Sequence, residues 1–414
     1  MILHYKYNFF PLVLIYLKIK LIIYLNNFKF CTMEPIKITK FCEIIHQLLR
    51  HESLTNTRIT MMLKKTCKQI QENLTDIKVD MEEFPQNDVT IVLQHPDNYC
   101  NIHLTIYNKN QLSQLCPNTS IRNLHIRHIV IPDITAIKQC ASLDITAIKQ
   151  CASLEKLTFF NCPQLKDLTV IKQCELLHTL TISCCDGMTD MSGLENCNSL
   201  RILSLRGCQN LTNITALGLS TSLYELYMGS CITVTDISAL GQCASLHILN
   251  LHNCYSITDL SGLDQSKSLH TLIINECDSI TELSGLGQCA SLHTLIINKC
   301  KNLTNVSLGQ CASLHKMILT WCDKVTDLSV LAQCPSLYTL SIRLCHELTD
   351  VSELGQSLSL HRVNLSRCDR LENMSGLEKC ASLHRINIDM CQSLTGIVDL
   401  LYKRPDITIT HNRL

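Results

Sequence analysis

A leucine recurs along most of the chain at a fixed interval of 23 residues. The series begins at Leu154 and runs to Leu292, one repeat is a residue shorter, and the series continues from Leu314 to Leu383. A fixed period of 20 to 30 residues indicates a solenoid, in which each repeat is one layer of a stack. A single layer cannot bury its apolar side chains, whereas stacked layers share a continuous core.

One repeat shows how such a layer is built. Residues 269–291 read LHTLIINECDSITELSGLGQCAS, and we number the positions of every repeat from its leading leucine. Positions 4 to 6 alternate apolar and polar residues, which predicts a short strand with one buried face. The following Thr and Asp, Asn or Glu suit a turn or the cap of a helical turn. The repeat therefore predicts an α/β solenoid, with a curved parallel β-ladder on one side and short turns or 3-10 helices on the convex side.

The pattern LxxLxIxxC, followed by an apolar residue, Thr and Asp, resembles a leucine-rich repeat with Cys where many such repeats carry Asn. The cysteine-containing form is similar to that of F-box leucine-rich repeat proteins. The 23-residue form with LTDxSxL is similar to leucine-rich repeat proteins of trypanosomes, some of which are labelled adenylate cyclase regulators. The resemblance covers residues 121–400 and implies an interaction scaffold, but it does not indicate the partner.

An 11-residue segment interrupts the regular period. Residues 144–154 restate the sequence DITAIKQCASL of residues 133–143 without adding a second LxxLxI strand. We expect this copy to form an outward bulge on the convex side. A recent duplication or an error in the assembled gene explains the perfect identity better than a shaped functional loop does.

The first 32 residues are apolar but do not read as a membrane span. Lys18 and Lys20 divide the apolar run, which leaves less than the 18 or more residues that a spanning helix needs. Three interpretations of residues 1–32 remain open: a start that truly lies at Met33, a signal or anchor, or a structural segment.

Residues 33–120 do not follow the 23-residue pattern. Residues 37–52 and 56–74 are predicted as two helices, and strands follow them, so this region is predicted as an α/β N-terminal cap on the first repeat. Two helices ahead of cysteine-containing repeats also resemble a degenerate F-box, although the usual opening Leu-Pro is missing. At the other end, residues 401–414 are predicted as a C-terminal cap with one short strand.

Charge and cysteine usage bound the partners and the compartment. Lys plus Arg equals Asp plus Glu at 36 each, which gives no reason to expect nucleic acid or an anionic membrane as a partner. Eleven of the 26 cysteines occupy position 9, where each has two equivalent neighbours, and Ser220 replaces a second-column cysteine without loss of a partner. We predict free, buried thiols and hence a reducing, cytoplasmic location. A real signal in residues 1–32 would instead imply a secreted or membrane-associated protein.

No motif in the sequence indicates catalysis. There is no phosphate loop, no dinucleotide turn and no Cys-x-x-Cys pair, so we predict neither an enzyme nor a metal or cofactor site. Histidine stands at position 2 in seven repeats, with Tyr or Arg in others, which indicates an edge position that accepts amphipathic side chains.

Binding on the concave strand face is the predicted function. Isoleucine occupies position 5 in three consecutive repeats, the only Trp follows at position 8, and arginines lie beside them. Aligned apolar residues with an aromatic member are typical of protein-binding sites, although β-branched residues also simply favour strands. An alternative is a substrate-receptor subunit of a ubiquitin ligase that recruits a Skp1-like adaptor. The predicted protein-binding residues are Tyr227, Ile273, Ile296, Ile318, Trp321, Arg343, Arg362 and Arg385.

Overall fold

The computed structural model describes residues 76–80, 101–106, 121–127, 154–166, 168–308 and 311–411. The apolar start, the two helices predicted over 37–74 and the duplicated segment up to residue 153 lie outside the described residues. Strands β1 (Asp76–Asp80) and β2 (Asn101–Ile106) belong to a first compact unit and pair in parallel, and β3 (Ile121–Arg127) follows them in the chain. The repeats from Glu155 onward belong to a second unit.

From Lys156 onward, the described residues form twelve parallel strands that follow one another in chain order within one sheet. Each strand pairs with the next, and the pairing joins equal positions of successive repeats, such as Leu272 with Leu295 and Leu295 with Met317. The predicted fold class, a leucine-rich repeat solenoid, is confirmed by this ladder. The strands are β4 (Lys156–Phe160), β5 (Thr179–Ser183), β6 (Ile202–Arg206), β7 (Glu225–Gly229), β8 (Ile248–His252), β9 (Thr271–Asn275), β10 (Thr294–Asn298), β11 (Lys316–Thr320), β12 (Thr339–Arg343), β13 (Arg362–Asn364), β14 (Arg385–Asn387) and β15 (Thr408–Thr410).

Short 3-10 helices return the chain from one strand to the next. Most of them follow an Asp or Asn at position 14. The side-chain oxygen of this residue accepts a hydrogen bond from the backbone amide two residues later, as Asp236 does from the amide of Ser238 at 2.8 Å. This hydrogen bond starts the helical turn, as the Thr-Asp pattern predicts. The helices are Thr169–Gln173, Thr215–Leu219, Ser238–Gln242, Ser261–Gln265, Ser284–Leu286, Ser329–Gln333, Ser352–Gln356 and Ser375–Lys379.

The last repeat ends differently from the others. Helix α1 (Ile397–Lys403) precedes β15 and replaces the 3-10 helix of earlier repeats, a feature that the sequence did not predict. Arg404 then holds the turn, because its guanidinium donates to the carbonyl of Cys380 at 2.7 Å and to Asp406. Within the described residues, no helix has both the length and the apolar character needed to cross a membrane.

The core runs through the stack beneath the strands. In the repeat that begins at Leu269, the side chains of Leu272, Ile274, Cys277 and Leu286 are all fully buried. The intervening strand residues are half-buried and face the other way, so β9 has the alternation that the sequence predicts. Burial of a leucine or isoleucine of this kind stabilises a fold by about 1.5–3 kcal/mol.

Position 8 adopts a left-handed backbone in repeat after repeat. Its φ is 54° at Lys299, 59° at Trp321 and 54° at Leu344, although only Gly and Asn accept this region readily. The amide of position 8 still donates to the carbonyl at position 7 of the next repeat, as Lys299 does to Thr320 at 2.8 Å. The reversal therefore keeps the ladder bonded, and the cysteine that follows lies in the core.

The cysteine thiols at position 9 form hydrogen bonds with backbone carbonyls at or near the ends of the strands. The thiol of Cys208 donates a hydrogen bond to the backbone carbonyl of Ile182 in the preceding repeat, at 3.7 Å. The thiol of Cys254 donates to the backbone carbonyl of His252 in its own repeat, at 3.6 Å. Both sulfurs are fully buried. A small side chain with a weak donor fits this position, because it fills the core and also satisfies carbonyls where the strand stops.

Candidate functional site

Three neighbouring strands align the predicted isoleucines. Ile296 on β10 pairs directly with Ile273 on β9 and with Ile318 on β11. Adjacent strands lie about 4.8 Å apart, so the outer two side chains are about 10 Å from each other. All three are half-buried on the face opposite to the core, while their sequence neighbours Leu295 and Ile297 are buried. We call Ile273, Ile296, Ile318 and Trp321 the apolar patch.

Trp321 lies at the end of the patch where the strands stop. Its side chain is 47% exposed, which is high for the largest apolar side chain of the protein. The indole packs edge-on against the imidazole of His346, with ring centroids 6.3 Å apart and planes at 89°. The amide of Trp321 donates to the carbonyl of Arg343 at 3.0 Å, so the ladder holds the left-handed turn from which the indole projects.

Exposed cations flank the patch on the C-terminal side. Arg362 on β13 pairs in register with Arg385 on β14, and Arg343 ends β12 beside Thr320. None of these three guanidiniums has a carboxylate partner among the described residues, whereas Arg370 and Arg404 do. The guanidinium of Arg362 lies 5.8 Å from the ring centre of Tyr338, within cation–π range.

Tyr227 shares position 5 with the isoleucines but lies apart from them. Asn250 on β8 stands between Tyr227 on β7 and Ile273 on β9. The Tyr227 hydroxyl donates to the Glu225 carboxylate at 2.6 Å, and this hydrogen bond together with burial raises the pKa of Tyr227 to about 12. The structure therefore places Tyr227 next to Asn250 rather than inside the apolar patch.

Burial makes two of the core thiols weakly acidic. Burial raises the pKa of Cys300 and of Cys311 to about 12, so neither forms the nucleophilic thiolate near neutral pH. In the described part of the chain, no three side chains among His, Cys, Asp and Glu converge in a way that would hold a metal ion.

A second ordered surface lies at position 2, where the sequence indicates an edge position that accepts amphipathic side chains. The side chains at this position form a continuous stack of eight rings along the sheet, and neighbouring ring centres are 4.2–5.4 Å apart. The sequence signal for this surface is that His and Tyr, which both carry rings, replace each other at position 2 of successive repeats. We call this stack the ring column; it consists of Tyr224, His247, His270, His293, His315, Tyr338, His361 and His384.

Comparisons with known proteins do not define a family for this chain. No protein-family model and no curated protein matches the chain. Among solved structures, the chain is similar to an internalin, InlF, from Listeria monocytogenes at 18% identity and a TM-score of 0.44, over 86% of this chain and 94% of that one. It is also similar to a leucine-rich repeat protein of Leptospira interrogans at 14% identity and a TM-score of 0.41, over 84% and 98% of the two chains. The leucine-rich repeat fold of this protein rests on its own ladder, because these superpositions are loose.

Proposed function

We propose that this protein is a non-catalytic interaction scaffold that binds a protein partner on its concave strand face. The observation that carries the proposal is the alignment of Ile273, Ile296 and Ile318 in neighbouring strands, with Trp321 exposed at the end of the row. Solvated strand faces usually carry polar residues, as β4 to β6 do at the same position with Thr158, Thr181 and Ser204. A contiguous apolar row with a tryptophan is typical of the centre of a protein interface.

The charge beside the patch favours an acidic partner. Arg343, Arg362 and Arg385 are exposed on β12 to β14, and none of them forms an ion pair with a described carboxylate. A rim of this sign accelerates association with a negatively charged surface and adds selectivity, while the buried apolar contacts provide most of the affinity. The preferred ligand therefore combines apolar side chains with carboxylates on one side of them.

The test replaces Ile273, Ile296 and Ile318 together by Thr. Threonine keeps the β-branch, so the free protein should lose no more than about 0.5 kcal/mol per site. Partners recovered by affinity capture and identified by mass spectrometry are then titrated calorimetrically against both proteins. We expect the affinity to fall by about 2 kcal/mol, or roughly 30-fold, if the row is the centre of the interface.

A matched control changes the same position outside the patch. The triple variant Thr158→Ser, Thr181→Ser and Ser204→Thr alters position 5 on β4 to β6 and should bind with unchanged affinity. If the variant with Thr at all three isoleucine positions folds and binds its partner with wild-type affinity, the proposed site is wrong. Unfolding of that variant would show that the isoleucines belong to the core.

The arginines predict a different kinetic signature. Reversal of charge at Arg362 and Arg385 to Glu should slow association with an acidic partner and leave dissociation nearly unchanged. The difference from wild type should shrink as salt is raised, because exposed charges are screened beyond about 10 Å at 0.1 M salt. An equal loss at low and high salt, or a change confined to dissociation, would exclude electrostatic steering.

The ubiquitin-ligase alternative depends on residues 33–75 alone. The sequence there predicts two helices ahead of the repeats, which lie outside the described residues. A Skp1-like adaptor that co-purifies with the full chain, and is lost when residues 33–75 are deleted, would favour a substrate receptor. The concave site would then bind the substrate.

A further inference from the structure

The ring column places titratable groups in an unusual arrangement. His247, His270, His293 and His315 stack face to face in four consecutive repeats, with ring centres 4.6–4.9 Å apart and planes within 23° of parallel. A tyrosine closes the run at each end, Tyr224 before His247 and Tyr338 after His315. The spacing equals the separation of the strands that hold the rings, so the solenoid itself sets it.

The surroundings of the central rings favour the neutral form. Burial and the neighbouring imidazoles lower the pKa of His270, and burial and His315 lower that of His293. The Nδ1 atoms of His270 and His293 lie 3.1 and 3.2 Å from the hydroxyls of Thr271 and Thr294, which are neutral partners.

In the part of the chain that the structure describes, no histidine in the middle of the column is paired with a carboxylate. Among the described residues, the histidine ion pairs are His178 with Glu155 and His346 with Asp369, and neither belongs to the central run. The charged residues nearest the column in sequence are mostly cationic and would oppose protonation of the rings. They are Lys267 before His270, Lys316 after His315, Arg362 after His361 and Arg385 after His384, with Glu225 after Tyr224 and Asp406 acting on His384 at the far end.

We propose that the ring column makes the solenoid sensitive to mild acid: protons added to the stacked imidazoles repel one another and loosen the repeats between Leu246 and Leu314. Stacked neutral rings attract, whereas stacked cations at this separation repel, and the ladder prevents the rings from moving apart. The column is thus a conformational device that is built into the sheet and needs no ligand.

The direction of the effect follows from proton linkage. The unfolded chain binds more protons than the folded chain, because folding lowers the pKa of His270 and of His293. The stability contribution is complete above the ordinary histidine pKa of about 6.5 and is lost as the pH falls below that value. Hydrogen bonds from the serine two residues later lower the pKa of the turn carboxylates of Asp236 and Asp259, so these two groups stay ionised between pH 7.5 and 5.5.

The test compares thermal unfolding of the full chain at pH 7.5 and 5.5 with that of a variant carrying His270→Tyr and His293→Tyr. Tyrosine already occupies this position at Tyr224 and Tyr338, so the stack is retained while the two protonation sites are removed. We expect the wild-type Tm to fall by about 4 °C or more between the two pH values, and the variant to fall by less than half as much. Added salt should reduce the wild-type loss.

His252→Tyr is the matched control. His252 ends β8 outside the column and should leave the pH response unchanged. Equal Tm losses in the wild type and the column variant, or no loss in the wild type, would overturn the proposal. If the column variant does not fold, an imidazole Cε1 NMR titration of the wild type decides: column pKa values at or above that of His252 would refute the device, and lower values would support it.

Discussion

Gly241 provides the sharpest test of how the convex side of the solenoid packs. It lies in the 3-10 helix Ser238–Gln242, and a Cβ atom added there would lie 1.9 Å from the carbonyl oxygen of Gly262 in the helix of the next repeat. Ordinary contact begins at 3.4 Å, so Gly241→Ala must separate the two helices by about 1.5 Å. The obstacle is backbone, which no side-chain rotation removes.

The expected cost follows from that displacement. Overpacking of a dense interior destabilises a protein by about 1–3 kcal/mol, and the lower chain entropy of unfolded Ala returns about 0.4–1 kcal/mol. We therefore expect Gly241→Ala to lower the free energy of unfolding by about 1–2 kcal/mol, and the Tm by about 2–6 °C. Urea unfolding followed by far-ultraviolet circular dichroism, together with a thermal scan, measures both quantities.

Gly229 supplies the control for this experiment. It ends β7, and the nearest atom to an added Cβ is Cγ of Arg206 at 3.6 Å. Gly229→Ala should leave stability within about 0.5 kcal/mol of wild type, or raise it slightly. If Gly241→Ala were as stable as Gly229→Ala, the close approach of the 3-10 helices would be refuted.

Two further predictions concern the turn after each strand and the thiols. Leu344→Asn should raise the free energy of unfolding by about 1 kcal/mol, because Leu344 has φ 54° and asparagine tolerates this region. The control is Leu358→Asn, which should leave the free energy of unfolding unchanged, because Leu358 is 92% exposed and has no positive φ. An equal response of both variants in urea titrations would argue against backbone strain at Leu344. Among the described cysteines, only Cys184 should react rapidly with a thiol reagent at pH 8, because it is exposed while burial raises the pKa of Cys322 to about 11 and that of Cys368 to about 12. Mass mapping of labelled peptides checks this, and fast native labelling of the buried thiols would contradict it.

Much of the fold could be predicted because the same pattern of apolar and turn residues recurs in every repeat. The alternation at Leu272, Ile273 and Ile274 predicts which face of β9 is buried, and the structure confirms the phase. The Asp at position 14 predicts a turn, and Asp259 caps one by accepting the amide of Ser261. These features depend on residues within one repeat, so a pattern read along the chain is enough to find them.

The candidate site was predicted only in part. Its members share position 5 or lie close to it in sequence, so their place on the sheet follows from the period. The left-handed backbone at Trp321 did not follow, because a large residue at positive φ runs against its own preference. The position of Tyr227 beyond Asn250 follows from the register, but its hydrogen bond to Glu225 required the side chains to be placed.

The sequence by itself determined the period, the strand phase and the identity of the residues that stack. Only the tertiary structure decided what those residues do to one another across repeats. The rings of His270 and His293 stack, the thiol of Cys208 donates a hydrogen bond to the carbonyl of Ile182, and Gly241 allows the backbone of Gly262 to approach closely. The partners in these contacts are 21 to 26 residues apart in sequence. Such contacts depend on the 4.8 Å rise between strands and on the direction of each side chain, and neither quantity is written in the order of the residues.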